Sequence, residues 1–216
     1  MRGVYFDDKH TGDDWSLILN SKSIDPPTPK YVKISVDGRN GDLNLSRALT
    51  GDISYTNREV SYTFIATEGT QEEREALISQ IVNYCHGQER KIIDPDYPDY
   101  YLIGEIMVSN IRNDRAYGTF TISADCEPFK YAVNEVNRLI TLTNTETVIN
   151  LTNIGTKSLI PTVTVDGNAN IKIGNDSVSL NSGTYKLTAL KLSTGTTPIT
   201  VSGSGTVTLV YREAIL

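Results

Sequence analysis

Tyr31-Val-Lys-Ile-Ser-Val-Asp37-Gly38-Arg39-Asn40-Gly41-Asp42-Leu43-Asn44-Leu45 opens the stretch on which the fold of this chain turns, and the stretch runs on through Asp52 to Tyr62-Thr-Phe64. Tyr31 to Val36 alternates apolar and polar residues, the period of a half-buried strand. Val60 to Ile65 repeats that rhythm with Val60, Tyr62 and Phe64 in step. Between the two runs lie more than twenty residues, opening with Asp37-Gly38 and Asn40-Gly41. Each glycine marks a sharp reversal where positive φ is cheap. A turn needs only a few residues, so an excursion this long is functional or disordered. Leu43, Leu45, Leu49 and Ile53 are too apolar for a solvated loop. Two expectations stand: an extended arm that buries its leucines on a neighbouring subunit, or an internal loop covering its own core.

Toward the N-terminus, Gly3 to Phe6 reads as a short strand and Asp7 to Asp14 as a polar loop. Trp15, Leu17 and Leu19 share a period-2 face, which predicts a strand with Trp15 in the core. Pro26, Pro27 and Pro29 make a stiff connector, each fixing φ and removing a donor. Toward the C-terminus a helix follows. Thr70 and Glu73 have capping-box spacing, and Glu72, Glu73 and Glu75 favour the positive end of the dipole. Leu77, Ile78, Ile81, Val82 and Cys85 form one apolar stripe, and Gly87 is a natural stop. Ile111 to Ala116 reads as a turn before a strand from Tyr117 to Ser123.

From Tyr131 charge thins out and Thr, Ser, Asn and Gly dominate. Short alternating runs follow at Leu139–Thr143, Val148–Thr152, Thr162–Val165, Asn170–Ile173, Ser177–Leu180, Thr184–Leu187, Ile199–Val201 and Val207–Arg212. Turn signals at Asp166-Gly167, Gly174-Asn175, Asn181-Ser-Gly183 and Gly203-Ser-Gly205 separate them, the rhythm of a β-sandwich. The expected organisation is a mainly β chain with two domains, 1–130 carrying the helix and the arm, and 131–216.

The formal charge of −6 is uneven: up to Lys130 there are 14 Lys and Arg against 21 Asp and Glu, and beyond it 6 against 5. An acidic first half argues against a nucleic-acid-binding surface, which needs clustered cations, but suits a channel that a polyanion merely traverses. Cys85 and Cys126 sit in apolar contexts and read as buried free thiols. The first residues show no signal peptide, and no stretch approaches a membrane span.

Chemistry is sparse. Asp94, Asp96 and Asp99 offer oxygen ligands, but two prolines stiffen the run and no calcium loop surrounds it, so a turn is the simpler reading. His10 lies in an acidic loop and His86 at a helix end, where an imidazole can serve the dipole, and their separation makes a zinc site improbable. Neither a Gly-x-Ser-x-Gly elbow nor a phosphate cradle occurs. Asp7/Asp8 and Asp13/Asp14 are adjacent and point apart, unlike the facing carboxylates of a glycosidase. The expectation is no catalytic residue, no metal site and no cofactor. Tyr185 and Tyr211 are candidates for stacking on a sugar, or for packing, which leaves a carbohydrate-binding module as the alternative.

The ordered set Ser23-Ile24-Asp25-Pro26-Pro27 … Val36-Asp37-Gly38-Arg39-Asn40-Gly41-Asp42-Leu43 … Arg58-Glu59-Val60 resembles the N-terminal signature of the phage distal tail protein family. Asp94-Pro95 … Tyr100-Tyr101 … Gly118-Thr-Phe120-Thr-Ile122 … Cys126-Glu127-Pro128-Phe129-Lys130-Tyr131 is similar to the end of that family's first domain. The segment with Cys126, Pro128 and Phe129 would be the crossover between domains. The resemblance implies a tail-tube-like β-sandwich with one helix, followed by a galectin-like β-sandwich closing on Tyr211-Arg-Glu213. It also implies a structural protein of the virion, from a phage or a prophage, made in the bacterial cytoplasm. As a homo-hexameric ring it would join the tail tube to the tail-tip hub and receptor-binding proteins, with DNA passing through and no membrane insertion. Gly38, Arg39, Gly41, Asp42, Leu43, Leu45 and Leu49 would form the subunit-interface arm. Residues 131–216 hold no His and no Trp, so a galectin-like domain here would lack the galectin sugar site.

Overall fold

The computed structural model describes residues 2–48, 51–174 and 176–216. The chain divides into two compact units, one ending at Lys130 and joined by Leu216, the other Tyr131–Ile215. The first is built on β1 (Tyr5–Phe6), β2 (Lys9–His10) and β3 (Leu17–Ile24). The arm then supplies β4 (Pro29–Lys30), β5 (Lys33–Ile34), β6 (Leu43–Asn44) and β7 (Ser54–Tyr55). After it come β8 (Arg58–Ala66), α1 (Gln71–Cys85), β9 (Glu89–Ile93), β10 (Tyr100–Asn113) and β11 (Gly118–Cys126). Seven of these strands form an antiparallel sheet in the order β2-β1-β9-β10-β11-β8-β3.

Alternation decides which side of that sheet is core. Val60, Tyr62, Phe64 and Ala66 of β8 are buried, as are Phe120, Ile122, Ala124 and Cys126 of β11. Phe64 stands opposite Phe120 with ring centroids 5.9 Å apart. Burial of each such side chain contributes roughly 1.5–3 kcal/mol. Helix α1 lays Ile78, Ile81 and Cys85 on this layer, and Trp15 joins the core edge-on to Tyr84. The capping box is formed: Glu73 N–H donates to Thr70 Oγ1 at 3.2 Å, and Thr70 N–H to Glu73 Oε2 at 2.7 Å. Those bonds satisfy two otherwise orphaned donors of the first turn, and they hold the Glu73 carboxyl below its usual range.

Three local expectations are corrected. Tyr31 to Val36 is no half-buried strand: all six residues are exposed, and only Lys33–Ile34 is extended in a ladder. Among the described residues, none of the arm's apolar positions joins the buried core. Ile111–Asn113 belongs to β10, so the turn expected there shortens to the residues just before Gly118. His86 does not serve the helix dipole: its Nδ1 accepts the Val108 N–H at 3.0 Å, capping a donor of β10.

The second unit holds β12 (Lys130–Ala132), β13 (Val136–Leu142), β14 (Thr147–Asn153), β15 (Thr162–Ile173), β16 (Asp176–Leu180), β17 (Gly183–Lys186), β18 (Gly195–Tyr211) and β19 (Ala214–Ile215), of which Lys130 belongs to the first unit. Here the expected pairs of short strands merge. Thr162–Val165 and Asn170–Ile173 are one strand, as are Ile199–Val201 and Val207–Tyr211. Asp166-Gly167 and Gly203-Ser-Gly205 are bends inside two long paired strands, not turns between short ones. Gly167 lies opposite Gly205 and Ala169 opposite Gly203. A Cβ on Gly205 would stand 1.9 Å from Asp166 O, and one on Gly203 2.0 Å from Asn168 O. Only glycine tolerates that approach together with φ of +99° and +133°. Inward positions keep their parity through the bend: Val163, Val165, Ala169 and Ile171 on β15, and Ile199, Val201, Val207 and Leu209 on β18, line one aliphatic core. β13 and β17 flank one half of the bent pair, and β14 and β16 the other.

The Tyr-Arg-Glu segment anchors this unit's end. Tyr211 Oη donates to Thr152 O at 2.8 Å, Arg212 to Ala132 O and Val133 O, and Glu213 Oε1 accepts the Ile154 N–H.

Candidate assembly surfaces

The arm is a narrow two-part ribbon. β4 pairs with β7 through Pro29–Tyr55 and Lys30–Ser54, and β5 with β6 through Lys33–Asn44 and Ile34–Leu43. Gly38 and Gly41 take φ of +81° and +78° at its tip. Arg39 N–H donates to Val36 O across the reversal, and Arg39 and Asp42 are exposed. Leu43 and Leu45 are half-buried within the ribbon, and Leu45 N–H donates to Val32 O. Leu49 lies outside the described residues. None of the arm's described residues belongs to the buried core. Leu43 and Leu45 are thus only partly exposed in the single chain. Among the arm's described residues, the large apolar side chains left in solvent are Tyr31, Val32, Ile34 and Val36, at 59, 53, 46 and 43% exposure. Their signal was the same alternation that suggested a half-buried strand.

The crossover is packed tightly. Cys126 is fully buried, and Gly104 of β10 approaches so closely that a Cβ there would lie 2.6 Å from Cys126 Sγ. Pro128 O accepts Arg58 Nε at 2.9 Å and also Nη2, which satisfies a guanidinium that is itself buried. Phe129 meets Tyr55 of the arm edge-on at 5.7 Å. Arm and crossover therefore share a base. Sequence reasoning missed Arg58, whose role depends on a carbonyl 70 residues away.

A second surface was not legible at all. On the face of the sheet opposite the core, Glu59 stands opposite Asp125, Asp125 opposite Glu105, and Glu105 opposite Glu89. Asp25 N–H donates to Glu59 O and extends the line. Five exposed carboxylates thus lie in one row, four on neighbouring strands and Asp25 just beyond the end of β3. Among the described residues no Lys or Arg forms an ion pair with any of them. The next row is Ser23, Ser61, Ser123 and Met107, beyond it Ser21, Thr63, Thr121 and Ser109. An open groove of about 580 Å³ lies over these rows. Like charges directly opposite each other destabilise a sheet, so this row costs stability where it stands.

The reactive groups lead elsewhere. Burial pushes the thiols of Cys85 and Cys126 up to about 12, so both stay protonated at neutral pH. Asp7 accepts from Arg90 Nη1 and Lys91 N–H while Asp8 accepts from Tyr84 Oη, so the adjacent carboxylates serve different partners. Asp94 and Asp96 both grip Lys22 Nζ, at 2.5 and 2.6 Å. Among the described residues no group of three metal-ligating side chains converges. Tyr211 is core and Tyr185 Oη donates to Asn181 O, so both rings pack.

No protein-family model matches the sequence, and no curated protein matches it. Among solved structures, the chain is similar to the SPP1 Dit protein, described as a paradigm of the hub adsorption apparatus in phages infecting Gram-positive bacteria. The match has a TM-score of 0.71 at 16% identity and covers 100% of both chains. The resemblance to phage distal tail proteins is thus borne out in the fold: over its whole length this chain has the fold of SPP1 Dit.

Proposed function

We propose that this chain is a structural component of a phage tail tip, a distal-tail-type protein that closes into a hexameric ring between the tail tube and the tail-tip hub. The observation that carries the reading is the end-to-end fold match to a hub protein, both units included. Two surfaces support it. The arm exposes Tyr31, Val32, Ile34 and Val36 on a ribbon that a single chain leaves uncovered, and a head-to-tail contact repeated around a closed ring covers such a surface. The row Asp25, Glu59, Asp125, Glu105 and Glu89 suits the wall of a DNA passage, because like charge keeps a polyanion from adhering. The second unit, a galectin-like sandwich without a galectin site, serves as the docking module for receptor-binding components. The protein acts by adhesion and geometry, in the virion, without turnover.

The test replaces Arg39–Ala48 by a short Gly-Ser turn and also makes Tyr31→Ser with Ile34→Ser, each followed by light scattering and negative-stain imaging. The unaltered chain is expected as rings with a central hole, and both variants as folded monomers. Rings from both variants would place the contact elsewhere. No ring from the unaltered chain at any concentration would overturn the reading.

A further inference from the structure

The arm and the sheet of the first unit each leave apolar side chains in solvent, at opposite ends of the same two strands. The arm departs after Ile24 and returns at Arg58, so its base lies at one end of β3 and β8. At their other end Ile18 stands opposite Ile65, Ile65 opposite Thr119, and Thr119 opposite Arg112, one row across four strands. Ile18 is 44% exposed, Ile65 is half-buried, and Tyr117, just before β11, is 46% exposed. The row lies roughly 20 Å from the arm's base, at about 3.3 Å per residue along β8. In the single chain the arm does not cover it, because every residue from Tyr31 to Val36 is itself exposed.

The charges beside these two apolar surfaces are complementary. The arm's tip carries Asp37, Arg39 and Asp42, while the end of β10 and the turn after it carry Arg112, Asp114 and Arg115. All six are exposed, and among the described residues none of them forms an ion pair. The order is minus, plus, minus against plus, minus, plus. Complementary charge of this kind fixes register and rejects wrong partners more than it adds affinity.

We propose that the row Ile18, Ile65 and Thr119, with Tyr117 beside it, receives the arm of a second copy of this chain. Val32, Ile34 and Val36, which recur at period two, lie on the row, and the charged tip meets Arg112, Asp114 and Arg115. The inference rests on the ring reading and names the acceptor surface that reading requires. Donor and acceptor are different surfaces of one copy, so the contact is heterologous and repeats until a ring closes. The acidic row, at the arm's end of the sheet, lies outside this contact.

The test reverses charge on each side of the full-length chain. Asp37→Lys with Asp42→Lys, and separately Arg112→Glu with Arg115→Glu, should each raise the concentration needed for rings by roughly tenfold or more at low salt. All four changes together restore opposite charges and should recover rings, which shows that the separate losses are not misfolding. In parallel, oxidation of Ile34→Cys with Ile65→Cys should give a ladder of cross-linked copies, and Ile34→Cys with Glu59→Cys should not. Cys85 and Cys126 are buried and stay out of the reaction. Rings that persist in both reversed-charge variants, no recovery in the fourfold variant, or a ladder from Glu59→Cys in place of Ile65→Cys would overturn the acceptor and leave the ring reading intact. A chain that forms no ring yet cross-links Ile34→Cys to Ile65→Cys between copies would keep the contact and overturn the ring. Neither ring nor cross-link would overturn both.

Discussion

Tyr31–Val36 and Val60–Ile65 carry the same alternation and end in opposite surroundings. In β8, Val60, Tyr62 and Phe64 are at most 1% exposed, while every residue from Tyr31 to Val36 lies in solvent. β8 has β3 and β11 on its flanks, with the aromatic and aliphatic core against its apolar face. The arm's β5 has a two-residue partner, and both of its own residues are exposed. Alternation thus encodes a strand with two unlike faces and says nothing of what covers the apolar one. That cover is tertiary in β8 and, on our reading, quaternary in the arm.

The sharpest test of a tertiary cover is Phe64→Ala. Phe64 is fully buried between Tyr62 and Phe120. Truncating such a ring costs about 3–5 kcal/mol in lost burial and a residual cavity. Urea denaturation of the arm-shortened monomer should show that loss. A change under about 1 kcal/mol would mean the β8 face is no better covered than the arm's.

The second unit makes its own cover by bending. Its inward positions keep step from Ile199 to Tyr211 only because Gly203 and Gly205 let β18 fold over the core. Gly205→Ala adds positive-φ strain and a clash with Asp166 O, together about 2–4 kcal/mol. If residues 131–216 are an independent domain, the variant loosens that unit alone. Limited proteolysis should then nick near Glu127–Val136 and spare a folded fragment ending close to Lys130. Loss of both halves together would argue for one cooperative domain.

These contrasts mark what the sequence disclosed. The helix, its capping box, the buried thiols, Trp15 in the core and the change of character at Tyr131 rest on local spacing, and local spacing is what a sequence displays. The long bent strands were misread as pairs of short ones, because a glycine with positive φ marks a turn and a sharp bend alike. The acidic row was invisible: Glu59, Glu89, Glu105 and Asp125 meet only once four strands are in register, with Asp25 extending the line from the end of β3. Arg74 was hidden in the same way. It sits in the acidic first turns of α1, yet it is 2% exposed and donates to the carbonyls of Gly69, Asp114 and Arg115. Of the arm, sequence showed its existence and glycine tip; that Tyr31, Val32, Ile34 and Val36 are exposed was legible only in the structure.

A smaller effect probes the carboxylates that grip Lys22. Asp96 is held below the usual carboxylate range, first by the Lys22 hydrogen bond, and Asp8 and Glu73 of the same unit are also lowered. Groups with a lowered folded pKa add stability above their unfolded value, near 4, and lose it as pH falls through the folded one. The first unit should therefore weaken on acidification below about pH 4. Asp96→Asn should lower stability slightly at pH 7 and flatten that acid decline in denaturation series at several pH values. An unchanged slope would remove the Lys22–Asp96 pair from the account.

The smallest expected change in folding is also the most informative. Ile34→Ser with Val36→Ser alters two apolar residues that are 46 and 43% exposed and lie outside the buried core. Exposed positions away from caps and networks shift stability by about 0.5 kcal/mol or less. The same two changes put hydroxyls into any apolar interface the arm makes, where each buried aliphatic side chain contributes about 1.5–3 kcal/mol. Denaturation of the dilute monomer and light scattering across a concentration series should then disagree. The first should be unchanged, and the second should show ring formation displaced to much higher concentration or abolished. If stability falls by about 2 kcal/mol or more, the arm's apolar face is covered by its own chain in solution. If neither measurement moves, those side chains are solvent-facing in every state, and the difference between the two alternating stretches has no quaternary meaning.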